Sequence, residues 1–375
     1  MKKIKVGIDL APASHRAPGT ARHVAEQARA LFRIDVPWDW IPLLESKSNL
    51  LFQEVQEMDY QTNAGRKLWT RATFSNGRVW KKKGCQLAFA TAYFVPWLGI
   101  PTITNYFDSN NFEYGNTWIE SGKRWNFYLL NTLSYYALFK SVKLFVNSQY
   151  CINVISKHFP LAAKKLVLAP PGITPPKEKP KTKPSWSRKL IKPFFLYVGI
   201  FSDNKNQYRL IKAWLALRSK RDDLPQLILL GPSDSSYTKK SILPLIEKTH
   251  YKNEIIMPGR VSDQELAWAY HNADAYIQPS IAEGFGLPIV EAMSYSLPVA
   301  CSNTTSLPEA AGSAAFLFDP FHEDSIENAL QEISANQNLR SELKELGKER
   351  PAQFTWKKNA EIVAEQIDQT LTGML

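Results

Sequence analysis

Cysteine is scarce in this sequence. The chain has 375 residues and only three cysteines, Cys85, Cys151 and Cys301, which lie far apart. Because there is neither a Cys-x-x-Cys pair nor a Cys/His cluster at metal-ligand spacing, a small disulfide-stabilised scaffold is excluded and structural zinc is not expected. The scarcity favours a reducing compartment, so we expect a cytoplasmic protein.

Apolar segments that could cross a membrane are also lacking. The longest uncharged run, residues 84–107, has the necessary length, but Pro96, Gly99 and Pro101 divide it into strand-sized pieces. It therefore predicts two buried strands and a loop. The first ten residues begin with lysines, as signal peptides do, yet their apolar stretch is too short and Asp9 ends it. We interpret them as a first buried strand.

Charge is plentiful but unevenly distributed. The first 190 residues hold 28 basic and 12 acidic side chains, whereas the remainder holds 18 basic and 23 acidic ones. Such asymmetry predicts two halves with different partners, the first meeting an anionic one such as a lipid surface, a phosphorylated substrate or nucleic acid. The alternative is a solvated basic face without a partner.

Basic residues of the first half alternate with aromatic ones. Residues 66–83, RKLWTRATFSNGRVWKKK, contain seven basic residues and no acidic one, and residues 118–139 combine tryptophans, basic residues and other aromatics. This composition suits the interface of an anionic membrane. It also suits single-stranded nucleic acid, which we do not expect because no nucleic-acid-binding motif accompanies the charge. Alternatively, the aromatics belong to the core and the lysines to an ordinary surface.

Short apolar segments alternate with helical patterns along the chain, which predicts α/β architecture with parallel sheets. A Pro- and Lys-rich linker at 174–193 would separate an N-terminal domain (1–173) from a C-terminal domain (194–350). An amphipathic helix within 351–375 is expected to return towards the N-terminal domain. Strands are predicted at 4–8, 87–92, 102–106, 144–147, 194–198, 226–230, 254–257, 275–278 and 298–301.

The most informative segment is residues 279–291, PSIAEGFGLPIVE. A predicted strand precedes it, two glycines remove side chains from the turn, and Pro288 suits the start of a helix. A strand, a glycine-rich turn and a helix N-terminus form an anion site that fits a diphosphate. Glu283 and Glu291 flank this turn, where carboxylates can accept hydrogen bonds from sugar hydroxyls. Two glutamates eight residues apart mean little alone; the whole string is far more specific.

This segment resembles a known donor site. EGFGLPIVEAM, with the Leu-Pro pairs at 297–298 and 307–308, resembles the signature of the retaining, nucleotide-sugar-dependent glycosyltransferases of the GT-B fold, glycosyltransferase family 4. Weaker similarity covers most of the chain. The resemblance implies two Rossmann-like domains with parallel sheets facing each other across a cleft, the first binding the acceptor and the second the donor.

The resemblance also implies roles for individual residues. Glu283 would bind the donor sugar and support charge at its anomeric carbon, while Lys205 would neutralise the diphosphate leaving group. Glu291 would hold the ribose. The remaining donor-binding residues would be Gly19 and Gly199 in loops near the phosphates, Arg260 and Val261 around the base, and Phe285, Gly286 and Leu287 through their backbone amides.

Two departures from the family pattern stand out. Asn204 occupies a place where relatives usually carry an arginine, and Phe107 precedes Asp108 where they carry a histidine. Asp108 remains a candidate sugar or acceptor contact, and substitutes for the missing groups would come from the first loop, at His15, Arg16 and Arg22. The alternative is that these three belong to an ordinary solvated loop.

The chain has no Asp-x-Asp motif, the pair with which metal-dependent transferases hold a divalent ion on the diphosphate. We therefore expect neither a metal nor another cofactor besides the donor substrate. The predicted function is transfer of a hexose, with retention, from a nucleoside diphosphate sugar to a glycan or lipid-linked acceptor in cell-surface polysaccharide or glycolipid synthesis. A non-catalytic nucleotide-sugar-binding subunit is the alternative that Asn204 and Phe107 keep open.

Overall fold

The computed structural model describes most of the chain, and several residues of interest lie outside the described part. Among these are His15, Arg16 and Asp108 of the predicted site, and the first ten residues of the basic aromatic stretch at 66–83. The described residues are 3–13, 18–47, 49–62, 76–92, 95, 99–107, 109–113, 124–174 and 178–374.

The chain divides into two compact units. The first consists of Met1–Glu113, Lys123–Gly172 and Phe354–Leu375, and the second of Tyr114–Gly122 and Ile173–Gln353. The last helix of the chain therefore belongs to the same unit as the first strand.

The Pro- and Lys-rich stretch expected to be a linker is part of the second unit from Ile173 onwards. Within it, Ser185–Lys189 form a 3₁₀ turn. Trp186 is buried there, and its ring lies 5.5 Å from that of Trp268. The composition indicated an unpacked segment because prolines and lysines dominate it, yet one tryptophan is enough to anchor it to the core.

Each unit is built on one parallel sheet, as the alternation of strands and helices predicts. All strand pairs are parallel, and every strand expected from the sequence is present within about two residues of its predicted bounds. The strands of the first unit are β1 (Ile4–Asp9), β2 (Trp38–Leu44), β3 (Gln61–Thr62), β4 (Leu87–Ala90), β5 (Thr102–Tyr106), β6 (Lys143–Val146) and β7 (Leu166–Leu168). Those of the second are β8 (Phe194–Val198), β9 (Gln226–Leu230), β10 (Ile255–Gly259), β11 (Ala275–Gln278), β12 (Val299–Ser302) and β13 (Ala315–Phe318).

Helices follow most of the strands and give both units the doubly wound α/β architecture, which confirms the predicted fold class. In chain order, they are α1 (Pro18–Leu31), α2 (Phe52–Val55), α3 (Asn76–Lys82), α4 (Asn110–Glu113), α5 (Arg124–Lys140), α6 (Gln149–His158), α7 (Gln207–Arg218), α8 (Leu243–Glu247), α9 (Asp263–Asn272), α10 (Leu287–Ser294), α11 (Leu307–Ala311), α12 (Glu323–Ala335), α13 (Gln337–Gln353) and α14 (Trp356–Thr372). Among the described residues, none of these helices is both long and apolar enough to cross a membrane.

Strand order locates the crevice of each sheet. The first sheet has the order β3-β2-β1-β4-β5-β6-β7 and the second β10-β9-β8-β11-β12-β13. In the second sheet the chain moves from β8 outwards to β10 and then returns to β11 on the other side of β8. Ligands of open parallel sheets bind where the order reverses, beyond the carboxyl ends of the strands. In this unit that point lies between β8 and β11.

Part of the basic aromatic stretch is core. Trp80 on α3 is fully buried beside Ile41 and Leu43, and its indole nitrogen donates to the Ile41 carbonyl at 3.3 Å. This residue therefore cannot reach a membrane interface, contrary to that reading of the sequence. Its aromaticity serves packing between α3 and the sheet, whereas Arg78 and Lys81 on the same helix are not buried.

Candidate active site

Lys205 and Glu283 lie at the switch point of the second sheet. Lys205 follows β8 and Glu283 follows β11, the two strands that border the crevice. Their ammonium and carboxylate groups are 2.6 Å apart, and the side chains are only 17% and 13% exposed. The structure thus brings together the two residues that the sequence predicts as catalytic.

The loop that carries Lys205 is fixed to the loop after β11. Asp203–Lys205 form a 3₁₀ turn, and the next residue, Asn206, has φ of 59° immediately before α7. An asparagine tolerates this left-handed conformation better than most residues. Its buried amide donates to the carbonyls of Pro279 at 3.0 Å and Pro320 at 2.8 Å, so the turn is held firmly.

Asn204, which replaces an expected arginine, takes part in the same attachment. Its carbonyl accepts a hydrogen bond from the Ile281 amide at 2.8 Å, and its side-chain oxygen accepts one from Ser202 at 2.7 Å. The residue therefore links the two loops that carry Lys205 and Glu283. It supplies no positive charge, so Lys205 is the cation placed at this point of the crevice.

Glu283 is oriented by neutral donors on one side and by Lys205 on the other. Its Oε1 atom accepts hydrogen bonds from Ser280 at 2.8 Å and from the Gln278 amide at 3.0 Å, while Oε2 faces the Lys205 ammonium. Its backbone is also held, because its N–H donates to Thr305 and its carbonyl accepts from Ser306. Such bonding satisfies a half-buried carboxylate and leaves it little rotational freedom.

Two buried tyrosines, Tyr197 and Tyr276, lie near enough to the Glu283 carboxylate to be affected by its charge. Burial, reinforced by the charge of Glu283, raises the pKa of Tyr197 well above its ordinary value. Burial likewise raises the pKa of Tyr276, with smaller contributions from neighbouring tyrosines and from Glu283 and Glu291. Both phenols stay protonated and can donate: Tyr276 bonds to the Gln278 side-chain oxygen, and Tyr197 to the Ile200 carbonyl.

The glycine-rich turn has the conformation that its sequence requires. Gly286 has φ of 100° and precedes α10, and a Cβ atom there would lie 2.6 Å from the Leu307 side chain. Phe285 is buried, and Leu287 begins the helix with Pro288 second. The direction of α10 therefore sets its N-terminus and dipole at the switch point. The roles of the amides of Phe285, Gly286 and Leu287 stay predictions.

Glu291 lies one turn inside α10. The hydroxyl of Tyr270 donates to its Oε2 atom at 3.4 Å, and the Tyr270 ring stacks on Tyr295 with centroids 5.0 Å apart. These rings form an apolar support beside the carboxylate, which is consistent with its predicted role in holding a ribose. That role stays a prediction.

Glycines also shape the ends of the other strands. Gly199 follows β8 and Gly231 follows β9; a Cβ on Gly231 would collide with the Gly199 carbonyl. The loops therefore approach each other more closely than any side chain would permit. Gly259 ends β10, and the next two residues, Arg260 and Val261, are exposed and half-buried. Their role in framing the nucleobase stays a prediction.

Of the predicted sites in the first unit, Gly19 and Arg22 are described. Both are exposed and lie in α1, so Gly19 belongs to the first turn of a helix rather than to a loop. Phe107 packs edge-on against His23, with ring centroids 4.6 Å apart. His23 is buried, and burial lowers its pKa to about 3. Phe107 thus fills a core position. His15, Arg16 and Asp108 lie outside the described residues.

Sequence reasoning missed the donors that orient Glu283. Gln278 and Ser280 are both fully buried, yet they precede the EGFG string and were not assigned a role. Gln278 could have been noticed as a polar side chain at the end of an otherwise apolar strand. Within the described part of the chain, no group of three or more His, Cys, Asp or Glu side chains could hold a metal ion.

Several solved structures of similar fold are described as glycosyltransferases. A glycosyltransferase from Rickettsia africae matches with a TM-score of 0.73 at 15% identity, covering 99% of both chains. HepE from Anabaena, solved in complex with UDP-glucose, matches with a TM-score of 0.68 at 16% identity, covering 99% of this chain and all of that one. The fold is therefore GT-B, as the sequence motifs indicate.

The second unit also resembles known proteins in sequence. Residues 178–350, somewhat less than half of the chain, match the family model of Glycosyl transferases group 1. O-antigen chain mannosyltransferase B of Escherichia coli is 34% identical over 163 residues, which are 44% of this chain and 42% of that protein. The chain thus spans less than half of that relative's length. The family model covers residues 279–291, the segment whose sequence resembles the donor-site signature.

Proposed function

We propose that the protein transfers a hexose from a nucleoside diphosphate sugar to a glycan or lipid-linked acceptor in the synthesis of a cell-surface polysaccharide or glycolipid. The observation that carries this proposal is the Lys205–Glu283 pair at the switch point of a glycosyltransferase domain. A cation beside the diphosphate and a fixed carboxylate beside the sugar are what departure of the nucleotide requires. The mannosyltransferase relative supports the general reaction.

The two side chains divide the chemistry between them. As the bond from the anomeric carbon to the diphosphate breaks, negative charge accumulates on the leaving oxygen, where the Lys205 ammonium stabilises it. Glu283 accepts hydrogen bonds from the sugar hydroxyls and stabilises positive charge at the anomeric carbon. Because the two groups form an ion pair with each other, neither is an isolated, largely buried charge.

We propose that transfer proceeds with retention and without a metal ion. The acceptor hydroxyl attacks from the face that the diphosphate leaves, and a departing phosphate oxygen takes its proton, so no separate base is needed. Lys205 supplies the positive charge that a divalent ion gives to other transferases. We expect full activity after treatment with EDTA and a product with the anomeric configuration of the donor, read by proton NMR.

The donor is proposed to be a UDP- or GDP-linked sugar of the mannose, glucose or N-acetylhexosamine type. HepE, which shares the fold, was solved with UDP-glucose, and the E. coli relative is described as a mannosyltransferase. Glu291 with the Tyr270 ring would bind the ribose, and the backbone near Arg260 and Val261 would face the base. The protein is proposed to be cytoplasmic and to contact an anionic membrane peripherally through its basic N-terminal half.

The test is incubation of the purified protein with a panel of UDP-, GDP- and other nucleotide sugars, with and without an acceptor extract, followed by measurement of released nucleotide. Acceptor-dependent release from one donor is expected. Binding of a nucleotide sugar without turnover would contradict the proposal and favour a non-catalytic subunit. The observation that keeps this second candidate is the absence of charge at Asn204, which serves as a loop link.

A further inference from the structure

A group of large apolar side chains is exposed on one surface of the first unit. Phe139 is 61% exposed, Tyr135 41% and Leu161 84%. Phe159 joins them, with its ring centroid 5.5 Å from that of Tyr135 and 6.4 Å from that of Phe139. We call these four residues the aromatic surface.

The aromatic surface is held by secondary structure rather than by a loose segment. Tyr135 and Phe139 are four residues apart on α5 and therefore share one face of that helix. Leu161 lies in the 3₁₀ turn Pro160–Lys165. The Lys165 ammonium donates to the Phe139 carbonyl at 2.7 Å, which ties the end of α5 to this turn.

Other large apolar side chains of the described part are exposed as well. Ile191 and Phe321 of the second unit are 75% and 46% exposed, and Phe321 makes no ring contact with another aromatic side chain in the described part of the chain. Single exposed apolar residues are common on soluble proteins, whereas contiguous ones mark a surface that meets a partner. The ring contacts of Phe159 with Tyr135 and Phe139 make the aromatic surface such a contiguous group, which indicates an occupant.

Charge identifies the kind of occupant. Residues 131–172, which include the aromatic surface, contain five lysines and no acidic residue. Lys140, Lys157 and Lys164 are exposed. Among the residues that the structure describes, the last acidic one before this range is Glu113. Its carboxylate accepts a hydrogen bond from the Tyr150 hydroxyl. Apolar rings with surrounding lysines match a bilayer whose headgroups are anionic, since rings enter at headgroup depth while ammonium groups stay with the phosphates.

We infer that the aromatic surface docks the protein on an anionic lipid bilayer, with Phe139 and Leu161 inserted and the lysines around them on the headgroups. The inference rests on the membrane contact proposed above and assigns it a surface. A second copy of the chain fits less well, because two such surfaces would bring lysines against lysines.

The inference is tested by co-sedimentation of the full chain with vesicles of phosphatidylcholine alone and of phosphatidylcholine mixed with phosphatidylglycerol. We expect binding to the mixed vesicles only, and binding about tenfold weaker for the Phe139→Ser/Leu161→Ser double variant and for Lys140→Gln/Lys164→Gln. The matched control is Ile191→Ser/Phe321→Ser, which removes one aliphatic and one aromatic side chain of similar exposure and should bind like the unaltered protein.

The possible results distinguish docking through the aromatic surface from membrane contact in general and from the proposed sugar transfer. Undiminished vesicle binding by Phe139→Ser/Leu161→Ser would overturn the aromatic surface while leaving membrane contact intact. Failure of the unaltered protein to bind mixed vesicles would overturn both. A dimer in solution that this double variant dissociates, with vesicle binding unchanged, would assign the surface to a second copy. Nucleotide release in solution is measured without vesicles, so failure of sugar transfer would be recognised separately.

Discussion

At the scale of single residues, the site depends on groups that hold Glu283 rather than on Glu283 alone. Ser280 and Gln278 donate to one oxygen of its carboxylate, and Lys205 faces the other. The sequence indicates Glu283 and Lys205 because a string of glycines and a strand frame them. It does not indicate their contact, because that depends on how two loops 78 residues apart are joined through Asn204 and the Ala282 carbonyl.

Removal of the side chains that donate hydrogen bonds to Glu283 should lower the reaction rate more than it weakens substrate binding. We expect Ser280→Ala and Gln278→Met each to lower kcat about tenfold with little change in KM, because the carboxylate loses one of two fixed donors and can rotate. The measurement is steady-state kinetics with the donor identified by the panel. Ser219→Ala, which removes a hydroxyl that bonds the Ala216 carbonyl at the end of α7, is the control. An unchanged kcat, or a change confined to KM, would refute this role.

At the scale of elements, the turn before α10 has a backbone conformation that glycine adopts without strain and that residues with a Cβ atom do not. The φ of Gly286 is 100°, and an added Cβ atom would meet the Leu307 side chain. We expect Gly286→Ala to lower the free energy of unfolding of the second unit by about 2 kcal/mol. Urea unfolding followed by tryptophan fluorescence measures it.

Gly19→Ala provides the comparison for this substitution. Gly19 lies in the first turn of α1, and no heavy atom lies within 4 Å of an added Cβ atom. Stability should therefore be unchanged or slightly higher. If Gly19 also lies near the donor phosphates, as the sequence resemblance implies, the same variant will raise the KM for the donor. Equal stability of Gly286→Ala and the unaltered protein would show that the turn is not strained.

The contact between α1 and α14 predicts a dependence of stability on pH. His23 is packed between Phe107 and Trp356, and burial lowers its pKa to about 3. The unfolded chain takes up this proton near pH 6.5, so the unfolded state binds more protons below that pH and stability falls as pH decreases towards 3. Between about pH 7.5 and about pH 5 the loss from this group should be about 2 kcal/mol.

The His23→Leu variant isolates that contribution. Its free energy of unfolding should fall less over the same pH interval than that of the unaltered protein, because no buried imidazole has to be protonated. Urea titrations at both pH values measure the difference. An equal loss in the two proteins would mean that other groups account for the whole dependence.

The same contact shows what sequence can and cannot indicate about an element. The amphipathic pattern of residues 355–371 predicts α14, and its cap is present, since Thr355 accepts from the Lys358 amide at 3.2 Å. Its place depends on polar pairings that no periodicity encodes. The Asn359 amide donates to the carbonyls of Ala169 and Pro170, and its oxygen accepts from Gln27 on α1. The strands β3 and β7 were missed because two or three residues give no recognisable period, and β2 and β13 were not predicted either.

At the scale of the whole molecule, the excess positive charge and the candidate active site belong to different parts of the sequence. The first 190 residues carry the excess positive charge, whereas the remainder is mildly acidic, and Lys205 lies at the crevice of the second sheet paired with a carboxylate. The proposed recognition of phosphate therefore depends on the position of Lys205 and not on the net charge of the chain. The basic excess includes the lysines around the aromatic surface, where a different anionic partner is proposed.

The central claim is that Glu283 acts on the reacting sugar while Glu291 acts on the bound nucleotide. The most direct test measures kcat and the nucleotide Kd of Glu283→Gln, with Glu291→Gln as the matched variant eight residues away. We expect Glu283→Gln to lower kcat by about a thousandfold with the Kd within about threefold. Glu291→Gln should mainly raise the Kd. Full activity of Glu283→Gln, or a loss confined to nucleotide binding, would contradict the account.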